Sequence, residues 1–379
     1  MKAIINGRIV LPKEIVENKI LVFDVGKIID IADVVPENAE IIDAIGHLVA
    51  PGFVDVHIHG SMGADVMDKT TDAIEKIATC ITKNGTTSFL PTTMTMGKAD
   101  IYKSLEAIKM LQGKKISGGA EVLGAHLEGP FINVTYKGAQ NEAFIVAPDA
   151  KWIFDYADVI KLITYAPEVD PELTFTKKVK SETNATLSIG HSSATYDQAK
   201  EAIECGCSHV THLFNAMPPL HHREPGLIAA ALTTDVFTEL IADKVHVNQQ
   251  LFQFILNNKG CERVVLITDS MRAGCMKDGI YDLGGQNVQV SEGIARLEED
   301  GTLAGSVLTL NQGVRNFYEN TNATLFEAIH MASLNPATSI NLADRKGSLE
   351  LGKDADIILL DEEFTCHMTF VNGELVYEK

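Results

Sequence analysis

Short apolar runs rich in Val, Ile and Thr alternate with segments of helical spacing from about residue 50 to about residue 320. Eight runs predict strands: 53–59 (FVDVHIH), 87–93, 121–129, 159–168, 185–191, 208–217, 237–247 and 263–270. Helical stretches such as 71–85, 101–113, 172–183 and 196–206 lie between them, and several close on the Gly or Asn expected just past a helix end. Eight strands with crossover helices predict an α/β fold, a (β/α)8 barrel over residues 51–345, whose chemistry sits at the carboxyl ends of the strands. Residues 1–50 and 346–379 read as short strands and turns, predicting one small β-sandwich domain built from both termini. Within it INGRIV (5–10) and VNGELV (371–376) both look like hairpins turning on Asn-Gly.

Polar residues gather where the barrel rule places them. His57 and His59 close the first run and share a strand face with Asp55. Glu128 closes the third run and His191 the fifth, His212 lies late in the sixth, His246 ends the seventh and Asp269 the eighth. Structural histidines would have no reason to collect at one end of successive strands. Imidazole nitrogens and carboxylate oxygens are ligands for zinc and similar divalent ions. Glu128, His191 and His212 make one such set, and His57 and His59, bridged by Glu128, could hold a second ion. Asp269 is the carboxylate left over and suits a general base. Lys161 begins the fourth run rather than ending it, so a carbamylated-lysine bridge is not expected.

Composition narrows the partners. A formal charge of -19 with no basic stripe argues against nucleic acid, and an anionic ligand would need a local basic pocket. No window approaches about 18 continuous apolar residues and no basic start precedes an apolar core, so neither a membrane span nor a signal peptide is expected. Six cysteines without a CxxC pair suggest reduced thiols in a cytoplasmic protein, with Cys205 and Cys207 flanking Gly206 in a helix-end turn.

An ordered series of motifs spans residues 51–360: PGFVDVHIHG, HLEGPFIN followed by KGAQN, GHSSA, THLFNAMPPLHHREPG, IADKVHV, LITDSM, LAGSVLTL and KGSLELGKDADIILLD. It resembles the amidohydrolase superfamily and, within it, the N-acetylglucosamine-6-phosphate deacetylase family. The resemblance implies a homodimeric enzyme of amino-sugar metabolism that carries one or two divalent ions per subunit, zinc ahead of iron, manganese or cobalt, and cleaves the N-acetyl group of a sugar phosphate. It implies that Glu128, His191 and His212 bind the metal and that Asp269 is the acid/base. It further implies substrate contacts from Ala139, Gln140, Asn215, Ala216, Arg223, His246, Leu303, Ala304 and Gly305.

Arg223, in HHREPG, would then be the local basic group that an acidic protein needs to grip phosphate. The plain alternative is an exposed loop arginine paired with Glu224. One departure stands out: some members carry histidine where this chain has Gln140 and lack the HxH pair, so a second ion at His57 and His59 could take over polarisation of the substrate carbonyl. A deaminase or another amino-sugar deacetylase could reuse the same ligands, and Arg223 with His246 is what separates them.

Overall fold

The computed structural model describes residues 1–379. Eight parallel strands form the barrel: β1 (Phe53–Ile58), β2 (Thr86–Thr93), β3 (Ala125–Glu128), β4 (Ile160–Tyr165), β5 (Thr186–Ile189), β6 (His209–Val210), β7 (Phe237–Ile241) and β8 (Val264–Ile267). They pair in sequence order from β1 to β8. Closure between β8 and β1 falls beyond the β8 end, where Ile58 bridges Ser270 and the Asp269 amide donates to the His57 carbonyl at 2.9 Å. Lower down, the segment at Met331 and Ala332 fills the seam, accepting from Leu266 and Val54 amides.

Apolar periodicity explains the layers. The helix Thr71–Ile81 is capped by the Thr70 hydroxyl and buries Ile74, Ile77 and Ala78, spaced to share one face. Such faces and the barrel exterior form a cluster of 79 buried residues. A separate cluster of 11, including Val54, Val56, Leu90, Leu162, Ile241 and Ile267, draws on five of the strands and packs the lower barrel. Burial at about 25 cal/mol per Å² of apolar surface is what holds these layers together. No helix is long and apolar enough to cross a membrane.

The termini meet in two sheets. Lys2–Ile5 lies in a four-stranded sheet, whereas a six-stranded sheet joins Arg8–Val10 and Leu48–Pro51 to Ile357–Leu360, Cys366–Val371 and Glu374–Glu378. Ile4, Leu21 and Phe23 from the first sheet and Ile9, Val49, Ile357 and Phe370 from the second share one core, which is a sandwich. The hairpin expected at INGRIV does not form. Asn6 is left-handed (φ 56°), but the strands on either side belong to different sheets, so the turn carries the chain between layers. At VNGELV, Asn372 (φ 47°) and Gly373 (φ 75°) do turn an antiparallel pair.

Other boundaries shift. The sixth run, expected over 208–217, is extended only at His209–Val210, because His212, Phe214 and Ala216 all adopt positive φ and fold the chain over the barrel rim. The seventh ends at Ile241, which leaves His246 in the following loop. An unanticipated three-stranded sheet, Gly279–Leu283, Gln286–Ser291 and Ile294–Leu297, follows β8. Its alternation of buried and exposed residues turns on Gly284-Gly285 and Glu292-Gly293, a visible hairpin signal.

Candidate active site

Glu128, at the end of β3, is buried and surrounded by imidazoles. Its Oε1 lies 3.2 Å from His191 Nε2, 3.4 Å from His212 Nε2 and 3.3 Å from His57 Nε2, while its Oε2 lies 3.3 Å from His59 Nε2. His191 Nε2 and His212 Nε2 are themselves 3.1 Å apart. Direct charge-assisted hydrogen bonds run shorter, at about 2.7–2.9 Å. Ligands at about 2.1 Å from a tetrahedral ion, by contrast, stand about 3.4 Å from each other. Glu128, His191 and His212 therefore have the spacing of a donor set around a divalent cation.

Tautomers agree with that fit. Nδ1 of His57 meets Glu239 at 2.9 Å, Nδ1 of His59 the Thr92 carbonyl at 3.2 Å and Nδ1 of His191 the Tyr136 carbonyl at 3.0 Å. A carbonyl can only accept, so Nδ1 of His59 and His191 carries a proton, which leaves Nε2 as the ring atom available to a metal. His57 Nε2 is buried without a hydrogen-bond partner. His57, His59 and Asp269 form a second group of converging donors, with Asp269 Oδ1 3.5 Å from His57 Nε2 and 3.2 Å from His59 Nε2.

The electrostatics are those of a tightly packed acid–imidazole nest. Burial disfavours charge on Glu128, but His57 and hydrogen bonds from His191 and His212 outweigh it and hold the carboxyl well below the usual range. Burial likewise opposes ionisation of Asp269, and His57 and His59 override it to keep a carboxylate. Burial opposes protonation of His59, yet bonds to Asp269 and Glu128 push that ring up to about 10. Protons and a metal cation compete for the same nitrogens.

Backbone strain is built into the site. His191 (φ 49°), His212 (φ 28°) and Asp269 (φ 49°) are all left-handed, a conformation that costs a non-glycine residue on the order of 1–3 kcal/mol. Hydrogen bonds hold two of these turns. Glu168 accepts from Ser192 and Ser193 beside His191, and the His212 amide donates to Glu239 at 3.1 Å.

The nest floors an open cavity of about 150 Å³. Ala139, Gln140, Asn215, Ala216, His246, Leu303 and Gly305 line it, together with His59, Glu128, His191, His212 and Asp269. His57 lies beneath, fully buried. Ala304 is also buried, its amide bonded to Ala295, and does not reach the cavity. Gln140 has both ends of its amide engaged: Oε1 accepts from the Thr95 amide and Nε2 donates to Glu128 Oε2, both at 2.7 Å. It steadies Glu128 rather than pointing a free donor at a ligand. His246 donates to Asp243 at 2.7 Å; burial opposes its charge, but Asp243 raises its pKa above the ordinary value. Arg223 does not line the cavity. It is exposed on the loop that carries Asn215 and Ala216, with Nη1 2.9 Å from His222 Nε2.

Two buried residues escaped the sequence analysis. Glu239 orients His57 and His212, and His126 meets His57 edge-to-face with ring centroids 4.5 Å apart while bonding Thr164 at 2.7 Å. His126 lies two before Glu128 on the same strand face, and that alternation was the available signal; Glu239 shares its face with Phe237 and Ile241 and carried none.

A parallel barrel with imidazoles and carboxylates converging at the carboxyl ends of its strands defines a metal-dependent hydrolase. The amidohydrolase family model matches residues 48–376, and the chain belongs to that family. It is 38% identical to the N-acetylglucosamine-6-phosphate deacetylase of Bacillus subtilis (strain 168) over 97% of this chain and 95% of that protein. The crystal structure of N-acetylglucosamine-6-phosphate deacetylase from Pasteurella multocida superposes with a TM-score of 0.94 at 32% identity, covering both chains completely. The Mycobacterium smegmatis enzyme, solved as an aspartate-to-alanine mutant in complex with N-acetyl-D-glucosamine-6-phosphate, superposes with a TM-score of 0.91 at 28% identity over 99% of each chain.

Proposed function

We infer that this chain hydrolyses the N-acetyl group of N-acetylglucosamine 6-phosphate, releasing glucosamine 6-phosphate and acetate. The observation that carries this reading is the placement of Asp269, ionised and bonded to His59, in the same cavity as Glu128, His191 and His212, with His246 on the wall. Relatives of that name and the sugar-phosphate complex of the mycobacterial protein support it.

Glu128, His191 and His212 would hold a divalent ion, which supplies Lewis acidity toward the amide carbonyl and toward water. His57 and His59, with Glu128 between the sets, offer a place for a second. Zinc suits the mixed nitrogen and oxygen donors; iron, manganese and cobalt suit them too.

Asp269 accepts the proton of the attacking water as its oxygen bonds to the acetyl carbon. It then delivers that proton to the sugar nitrogen as the C–N bond breaks, so acetate and a free amine leave. His59 keeps the carboxylate in place. Gln140 holds Glu128, and Glu239 holds His57.

His246, whose charged form Asp243 favours, would meet the phosphate from the cavity wall, and Arg223, exposed on the loop that carries Asn215 and Ala216, offers a guanidinium that can grip phosphate bidentately. Six free thiols suit a reducing compartment, which supports a cytoplasmic enzyme, and the family resemblance carries the expectation of a homodimer. The test is acetate release from N-acetylglucosamine 6-phosphate set against its galacto epimer and against N-acetylglucosamine. The reading requires the phosphorylated gluco sugar to have the highest kcat/KM.

A further inference from the structure

Cys80 and Cys275 are far apart in sequence and adjacent in space. Cys80 sits buried near the end of the helix Thr71–Ile81. Cys275 is exposed, in a left-handed conformation (φ 60°), on the segment that follows Asp269. The two thiols lie close enough for each to perturb the ionisation of the other. Ser61 Oγ lies 3.3 Å from Cys80 Sγ and 3.2 Å from the Gly274 carbonyl, and Asn84 Nδ2 donates to Cys275 Sγ at 3.7 Å.

The two sulfurs are not equivalent. Cys275 is exposed and accepts from Asn84, whereas Cys80 is buried and accepts from Ser61. We propose that Cys275 and Cys80 form a two-electron oxidation site for small peroxides, with Cys275 as the attacking sulfur and Cys80 as the resolving one. Hydrogen bonds from Cys80, Ser61 and Asn84, with the Lys83 charge nearby, bring the Cys275 thiol down to about 6. Burial pushes Cys207 up to about 12 and Cys261 and Cys366 up to about 11. The thiolate is the nucleophilic form, so Cys275 is the one sulfur among these that is both ionised and reachable near neutral pH.

The chemistry balances. The Cys275 thiolate attacks one oxygen of hydrogen peroxide; an S–O bond forms, the O–O bond breaks, and the departing hydroxide takes a solvent proton to become water. Cys80 sulfur then attacks the sulfenic sulfur; the S–S bond forms, the S–O bond breaks, and the Cys80 proton leaves with hydroxide as a second water. Two thiols lose two electrons and the peroxide gains them.

The location ties this site to the catalytic frame. The Cys275 segment is bonded to the stretch after His57, with the His59 and Gly60 amides donating to Ser270 at 2.9 Å and the Met62 amide to Gly274 at 2.8 Å. A Cys80–Cys275 bond would clamp that pair of segments to the helix.

The experiment uses full-length protein loaded with zinc, which has no redox chemistry of its own. After mild hydrogen peroxide treatment at pH 7, the intact mass should fall by about 2 Da, with a Cys80–Cys275 cross-linked peptide that dithiothreitol reverses. Cys80→Ser should stop at a sulfenic acid on Cys275 that dimedone traps, and Cys275→Ser should keep its remaining thiols under the same dose. In untreated protein, iodoacetamide should label Cys275 at least about tenfold faster than Cys205 or Cys261. Persistence of all six thiols, or first oxidation at Cys205 or Cys261, overturns the proposal.

Discussion

His191 Nε2 and His212 Nε2 face each other at 3.1 Å, and the Nδ1 proton of His191 is already given to the Tyr136 carbonyl. His212 Nδ1 has no hydrogen-bond partner, so without a metal His212 can donate from Nε2 to His191, whereas a cation between them takes a lone pair from each ring. His212→Ala should therefore lose the ion held with Glu128 and His191, lowering metal content by about one equivalent per chain. Elemental analysis of purified variant and parent protein checks this; unchanged stoichiometry would remove His212 from the ligand set.

Asp269 differs from its neighbours in being suited to move a proton. Asp269→Asn should keep the ion at Glu128, His191 and His212 and bind substrate, yet lose about 10² to 10⁴-fold or more in kcat. Single-turnover kinetics with metal analysis on the same sample separate this from metal loss, and near-normal turnover would exclude the role.

Phosphate selectivity isolates His246 and Arg223. Loss of a charge-assisted contact costs about 1.5–3 kcal/mol, or about 10 to 100-fold. His246→Ala and Arg223→Ala should each raise KM for the phosphorylated sugar by that order while leaving the slow reaction of N-acetylglucosamine nearly unchanged. Should Arg223→Ala alter neither substrate, the exposed arginine is a surface residue only; equal losses on both substrates would point to a structural defect.

Acid stability has a source away from the cavity. Burial holds His330 neutral, with its pKa brought down to about 4. Its unfolded value is about 6.5, so the unfolded chain binds the extra proton first. The neutral-ring contribution is complete above about pH 6.5 and is lost as pH falls toward 4, at up to about 1.4 kcal/mol per pH unit. His330→Gln, which cannot titrate, should flatten the pH dependence of urea unfolding over that window by close to one proton. An unchanged slope would show that His330 does not titrate on unfolding.

The barrel was legible because β-branched runs and helical periods alternate regularly, and because His57, His59, Glu128, His191, His212 and Asp269 cluster at strand ends. What escaped depended on long-range pairing. Asn6-Gly7 and Asn372-Gly373 are the same dipeptide, yet only the second closes a hairpin, since Ile9 finds its partners at Val16 and Val49 rather than back along Ile4. The sixth run reads as extended through Met217, and nothing local announces the positive φ at His212, Phe214 and Ala216 that ends it. Gln140 was legible as a cavity residue, but its engagement with Thr95 and Glu128 needed the fold. Arg223 was legible as a basic group in an acidic chain, and its exposure was not.

Metal-dependent release of acetate is the decisive measurement. Acetate is measured from N-acetylglucosamine 6-phosphate with the purified protein, with the same protein stripped by a chelator, and after stoichiometric zinc is restored. Activity is expected in the first, its loss in the second and its recovery in the third, with no recovery in His191→Ala. Hydrolysis at the original rate by fully stripped protein would contradict it.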